Sequence, residues 1–141
     1  MLLNKVVLAI DFDGTIVDHN YPGIGKLFDN AKEVINELYD MGSYYIIIWS
    51  CRSGKDESDM IDFLNMAGVK YHAVNANCPE FIKKQVDAGR SEPRKLYYDI
   101  LIDDRELLSH GLDYSIEWPR LKNLIMLETF IKLNRRSNEI N

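Results

Sequence analysis

The stretch Val6 to Val17, VVLAIDFDGTIV, restricts the possible folds more than any other part of the chain. An unbroken apolar run, Val6 to Ile10, stops at two carboxylates, Asp11 and Asp13, with Phe12 between them and Gly14 after. Positions two apart in an extended chain project the same way, so Asp11 and Asp13 address one site while Phe12 turns back into the core. Like charges held that close repel unless a cation lies between them. A hard divalent ion such as Mg²⁺, which takes oxygen ligands, is the simplest remedy. Gly14 permits a sharp turn that brings its amide near whatever the acids handle. A plainer reading stands beside this: Asp-Gly between apolar runs is a strong hairpin signal, with Val6 to Phe12 and Thr15 to Val17 as arms.

Later segments decide between the two. The periodicity predicts an amphipathic helix over Leu27 to Tyr39, ended by Met41-Gly42, and an apolar strand over Tyr44 to Trp49 followed by the polar loop Ser50 to Gly54. A second helix is expected over Asp56 to Ala67 with Gly68 near its C-cap, then a short strand over Val69 to Val74. Pro79 opens a short helix to about Ala88, broken by Gly89. Tyr97 to Ile102 reads as a strand ending in Asp103 and Asp104, Leu112 to Trp118 as a last strand, and Pro119 as the start of a C-terminal helix with Leu121, Leu124, Ile125, Leu127, Phe130 and Ile131. Alternating strands and helices with solid apolar strands imply an α/β fold: a three-layer open parallel sheet of Rossmann type with helices on both faces. In such sheets ligands bind at the carboxyl ends of the strands. Three of these ends carry polar chemistry, Asp11/Asp13, Ser50/Arg52 and Asp103/Asp104, a coincidence that a hairpin does not explain.

At 141 residues, 46% hydrophobic and 28% charged, the chain suits one domain over residues 1–141 with a proper core. The run Val6 to Ile10 is too short for a signal-peptide core or a membrane span, and Cys51 and Cys78 suit a reducing compartment, so a soluble cytoplasmic protein is expected, with no membrane partner. A net charge of -5 argues against a general nucleic-acid coat. Yet Lys83, Lys84, Arg90, Arg94 and Lys95 against Asp87 and Glu92 make one segment +3 and leave the remainder at -8. Such a patch either attracts an anionic substrate or merely keeps a loop soluble.

DFDGT at Asp11 to Thr15, a strand ending at Ser50, a lysine further on and IDD at Ile102 to Asp104 resemble, in order, the four motifs of the haloacid dehalogenase (HAD) superfamily. The resemblance implies a HAD-like core and a Mg²⁺-dependent phosphohydrolase, a phosphomonoesterase in which Asp11 attacks phosphorus to give an aspartyl-phosphate. Asp13 then protonates the leaving oxygen and later activates water, and also gives the metal its backbone carbonyl. Ser50 and Arg52 bind the phosphoryl group, Lys95 neutralises it, Asp103 ligates Mg²⁺ directly with Asp11 and Asp13, and Asp104 holds it through a water or orients Lys95. Lys83, Lys84, Arg94 and Arg52 compete with Lys95 for the lysine role. Arg105 is expected to pair with a neighbouring acid, while Asp18 and Asp99 read as structural. The spacing between motifs leaves no room for a large cap, so the site is expected to be open, or closed by another copy in a homo-oligomer. The subgroup with WS-x-R and IDDR is similar, and the phosphatase half of polynucleotide kinases shares the IDDR ending. A nucleic-acid end or nucleotide is therefore an alternative substrate, although the net charge does not favour it.

Two non-catalytic alternatives compete: a receiver-like signalling module and an inactive Mg²⁺-binding relative. The receiver order places paired acids first and a lysine last, unlike this chain; an inactive relative is expected to lack Asp11 or Asp13. A Cys-x5-Arg phosphatase loop requires arginine where Glu57 and Lys84 stand, and no Walker-type loop exists because Asn20 and Trp49 occupy its first glycine position. His19, His72 and His110 have no metal-ligand spacing and read as surface or packing residues.

Overall fold

A computed structural model describes residues 5–106 and 117–139, with side chains to 135. Four strands, β1 (Val6–Ile10), β2 (Tyr44–Ile48), β3 (Ala73–Val74) and β4 (Ile100–Ile102), form one parallel sheet in the order β3-β2-β1-β4. The fold is therefore α/β with a Rossmann-like parallel sheet. β1 is paired in parallel on both sides, with Leu8 opposite Ile46 and Ile100, which removes the hairpin. Residues 12 to 17 instead form a tight loop in which the amides of Thr15, Ile16 and Val17 all converge on the Phe12 carbonyl.

The alternation of β1 builds both core layers. Val6, Leu8 and Ile10 face one side with Phe12, against Ala31, Val34, Ile35 and Leu38 of α1 (Ala31–Asp40), Met60 and Leu64 of α2 (Gly54–Ala67), and Trp118 and Ile125 of α4 (Trp118–Glu139). Val7 and Ala9 face the other side, against Phe81 of α3 (Pro79–Asp87) and Leu96. Helices thus cover both faces, as right-handed crossovers require when β4 lies across β1 from β2.

Several boundaries differ from the sequence expectation. α1 begins at Ala31, not Leu27, because Asn30 adopts a left-handed conformation (φ 62°) at its N-cap. Leu27 instead bridges Val17, and the Phe28 amide donates to the Ile16 carbonyl. β3 and β4 are shorter than their apolar runs. Most of the strand expected over Leu112 to Trp118 lies outside the described residues, but Trp118 itself opens α4 and is fully buried. Of the apolar residues on α4, Ile125 is buried, whereas Leu124, Leu127 and Phe130 are more than half exposed. Among the described residues, no helix is long and apolar enough to cross a membrane.

Candidate functional site

The sheet order reverses at β1. β2 follows β1 on one side and β4 lies on the other, so a crevice opens at their carboxyl ends, where open α/β sheets receive ligands. The register Ile10↔Ile102 carries on as the Asp11 amide donates to the Ile102 carbonyl at 2.8 Å. Asp11 and Asp103 are thereby forced side by side from positions 92 apart in sequence. One carboxylate oxygen from each of Asp11, Asp103 and Asp104 lies within 4.8 Å of the other two.

Thr15 ties the two loops together. Its buried hydroxyl donates to Asp11 Oδ2 (3.1 Å) and accepts the Asp104 amide (3.0 Å), while its carbonyl accepts the indole N–H of Trp118 (3.0 Å). Gly14, at φ 85°, makes the approach possible: a Cβ there would lie 2.4 Å from Asp104 Oδ2. Burial, with the Asp103 charge adding to it, raises the Asp11 pKa to about 7. Burial also raises Asp104, whose buried Oδ1 has no hydrogen-bond partner among the described residues. An orphaned carboxylate oxygen beside two further acids suits a hard divalent cation, so the residues fit Mg²⁺.

Asp13 does not join this group. Arg52 claims it with a two-pronged grip, Nε to Oδ2 at 2.8 Å and Nη2 to Oδ1 at 2.7 Å. Arg52 also donates to the carbonyls of Pro22 (3.0 Å) and Gly23 (2.6 Å), and its guanidinium lies against the rings of Phe12 and Tyr21. The Arg52 side chain is 1% exposed. Arg52, expected to bind substrate, does line the cavity, but four of its five N–H groups are spent on holding Asp13 and the loop at Pro22 and Gly23. The same grip occupies both side-chain oxygens of Asp13, which leaves its backbone carbonyl as the group expected to serve the metal.

Ser50 sits where the sequence indicated, on the cavity wall. Its Oγ accepts the Arg52 amide (3.2 Å), and its own amide donates to Asn75 Oδ1 (2.8 Å). Asn75, at φ 48°, also donates to Glu57 at 2.5 Å and so fixes the Ser50 loop from the end of β3. The cavity, about 350 Å³, is lined by Asp11, Asp13, His19, Tyr21, Ser50, Cys51, Arg52, Asp103 and Arg105. Lys95 does not line it. Asp99, four residues on, donates its amide to the Val7 carbonyl near the amino end of β1, so the chain at Lys95 approaches the sheet from the end opposite Asp11. Lys95 lines a separate cavity with Phe81, Pro93, Leu96, Tyr97 and Tyr98. The expectation that it serves the acidic site is corrected.

Thr15, Asn75, Trp118, His19, Tyr21 and Arg105 were not singled out for the site from sequence. Asn75 had a signal, since it follows the apolar end of β3 as the other polar groups follow their strands. Trp118 had none, because its contact with Thr15 spans 103 residues.

No family model and no curated protein matches the sequence. Among solved structures, the chain is similar to a conserved protein coded by a locus of Bacteroides thetaiotaomicron, with 31% sequence identity and a TM-score of 0.71 over 88% of this chain and 92% of that one. Likeness at that level over nearly the full length of both chains makes this protein a member of the same family as the conserved Bacteroides protein.

Proposed function

We propose that the protein is a Mg²⁺-dependent phosphomonoesterase of HAD type. One observation carries the reading: three carboxylates from the ends of β1 and β4 meet within 4.8 Å at the point where strand order reverses. Asp11, Asp103 and Asp104 would hold the cation, which when bound supplies charge neutralisation for a phosphoryl group. Asp11, fixed by Thr15 through one oxygen, keeps the other to attack phosphorus. The P–O bond to the leaving alcohol breaks as the Asp11–phosphorus bond forms, and water then cleaves the acyl phosphate to return Asp11 and release phosphate. Asp13 lies on the same cavity wall, aimed by Arg52, and is the group to pass a proton to the leaving oxygen and take one from water. Ser50, whose Oγ accepts from Arg52, retains its proton for a phosphoryl oxygen. Free Cys51 and Cys78 fit work in a reducing cytoplasm.

The test is hydrolysis of p-nitrophenyl phosphate with Mg²⁺. Wild type should turn over, chelation should stop it, and Asp11→Asn should lower kcat by about 10³-fold or more. Substantial residual turnover in Asp11→Asn removes Asp11 as nucleophile; a stable phosphorylated protein without turnover points to a receiver-like module instead. A screen of nucleotides, sugar phosphates and 3′-phosphorylated oligonucleotides then separates the substrate classes.

A further inference from the structure

A phosphate dianion entering a pocket of three carboxylates needs protein cations as well as metal charge, and the residue given that task from sequence, Lys95, belongs to another cavity. Among the described residues, two arginines line the acidic cavity. Arg52 is unsuited to the task, because four of its N–H groups are committed to Asp13, Pro22 and Gly23 within a buried pocket. Freeing it would leave Asp13 and two carbonyls without their donor. Arg105 differs on each count. It is exposed, and its backbone is pinned by an amide hydrogen bond to Asp103 Oδ1 at 2.9 Å. That bond holds its backbone against one of the three clustered acids, and Arg105 lines the same cavity as Asp11.

Resting on the phosphatase reading above, we propose that Arg105 is the cation that grips the phosphoryl group, in place of a lysine from the segment before β4. A guanidinium presents a planar fork of donors that matches two oxygens of a phosphate. The turn that follows β4 therefore supplies both cation-binding acids and the anion-binding base, from Asp103 to Arg105. Among the described residues, His19 is a third basic residue on the wall, carried by the exposed loop that Arg52 holds.

The experiment compares wild type, Arg105→Ala, Arg105→Lys, Lys95→Ala and His19→Ala in two measurements made with Mg²⁺ present. Calorimetry reads the binding of inorganic phosphate, and steady-state kinetics read KM and kcat for p-nitrophenyl phosphate. Loss of one charged donor pair should weaken phosphate binding about 10- to 100-fold in Arg105→Ala and raise KM by a comparable factor, with a smaller change in kcat. Arg105→Lys should recover part of the loss, since it keeps the charge but not the fork, and Lys95→Ala should match wild type. Phosphate binding in Arg105→Ala equal to that of wild type overturns the assignment, as does a loss found only in Lys95→Ala or His19→Ala. Wild type that binds phosphate through Arg105 yet hydrolyses nothing keeps the anchor and removes the phosphatase reading. Wild type that hydrolyses the ester while Arg105→Ala is unaffected does the reverse. Wild type that binds no phosphate removes the anchor.

Discussion

Arg52 joins the candidate site to the stability of the fold. A guanidinium removed from water is tolerable only when nearly every donor has an acceptor, and here Asp13, Pro22 and Gly23 provide them. Removing one partner of a buried ion pair costs about 3–5 kcal/mol because the other charge stays behind. Arg52→Ala should therefore lose stability of that order in denaturant unfolding and release the loop at Pro22 and Gly23. Arg52→Lys should recover little, because an ammonium cannot reproduce the two-pronged contact. Unfolding of Arg52→Ala within about 1 kcal/mol of wild type would show the pair to be dispensable. The sequence marked Arg52 as belonging to the site, by its place two residues beyond the end of an apolar strand. It did not reveal which anion the arginine serves, because Asp13 and substrate phosphate offer it the same chemistry. Only the depth of the guanidinium, beneath Tyr21 and against Phe12, decides for Asp13. Lys95 failed for a related reason: distance along the chain from Asp103 does not say at which end of the sheet a residue lies.

Strands and helices were legible in proportion to how much burial they contribute. β1 and β2, covered on both faces, were found to within a residue, and α2 and α3 nearly so. α1 lost its first turn to the Asn30 backbone, which hydrophobic spacing does not register. α4 has apolar residues on more sides than its packing uses, so spacing finds the helix but does not tell buried Ile125 from the exposed Leu124, Leu127 and Phe130. The shortest element, β3, depends on an unusual side-chain contact. His72 lies between the rings of Tyr39 and Tyr45, donates its amide to the Ile46 carbonyl and accepts the Ile46 amide at Nδ1, 3.0 Å away. An accepting Nδ1 must be unprotonated. Burial first, and the Lys5 charge second, hold the His72 pKa below its ordinary 6.5. The fold binds fewer protons here than the unfolded chain, so its stabilisation is complete above pH 6.5 and declines as pH falls through the lower folded value. Hydrogen exchange at about pH 7.5 and 5.5 should show the amides of Ile46, Ala73 and Val74 losing protection selectively at the lower pH. His72→Phe, which keeps the stacking but has nothing to titrate, should abolish the difference; an equal loss in that variant would assign the effect elsewhere.

Strand order explains why acids so far apart in sequence form one cluster: β4 must lie beside β1 for Asp11 and Asp103 to emerge together. That arrangement is costly without a cation. Asp11 has its pKa raised from 3.8 to about 7, so the folded protein holds a proton there that the unfolded chain gives up. The associated stability is complete below pH 3.8 and disappears as pH rises through about 7. Each tenfold change in proton affinity corresponds to about 1.4 kcal/mol, but Asp11 is partly solvated, and a loss on the order of 2 kcal/mol is the expected size. Metal-free protein should therefore melt at lower temperature at about pH 8 than at about pH 5, and Mg²⁺ should restore most of the difference, because protons and the cation compete for the same oxygens. A cation at about 100 times its dissociation constant adds roughly 2.7 kcal/mol to the folded state. Asp11→Asn should flatten the metal-free profile, while Asp103→Asn should keep the pH dependence in weakened form and lose the Mg²⁺ response, because one of the three carboxylates is gone. A Mg²⁺ shift in melting temperature that is the same at both pH values, or unchanged in Asp103→Asn, would mean that the ion binds elsewhere and that the three acids meet for another reason.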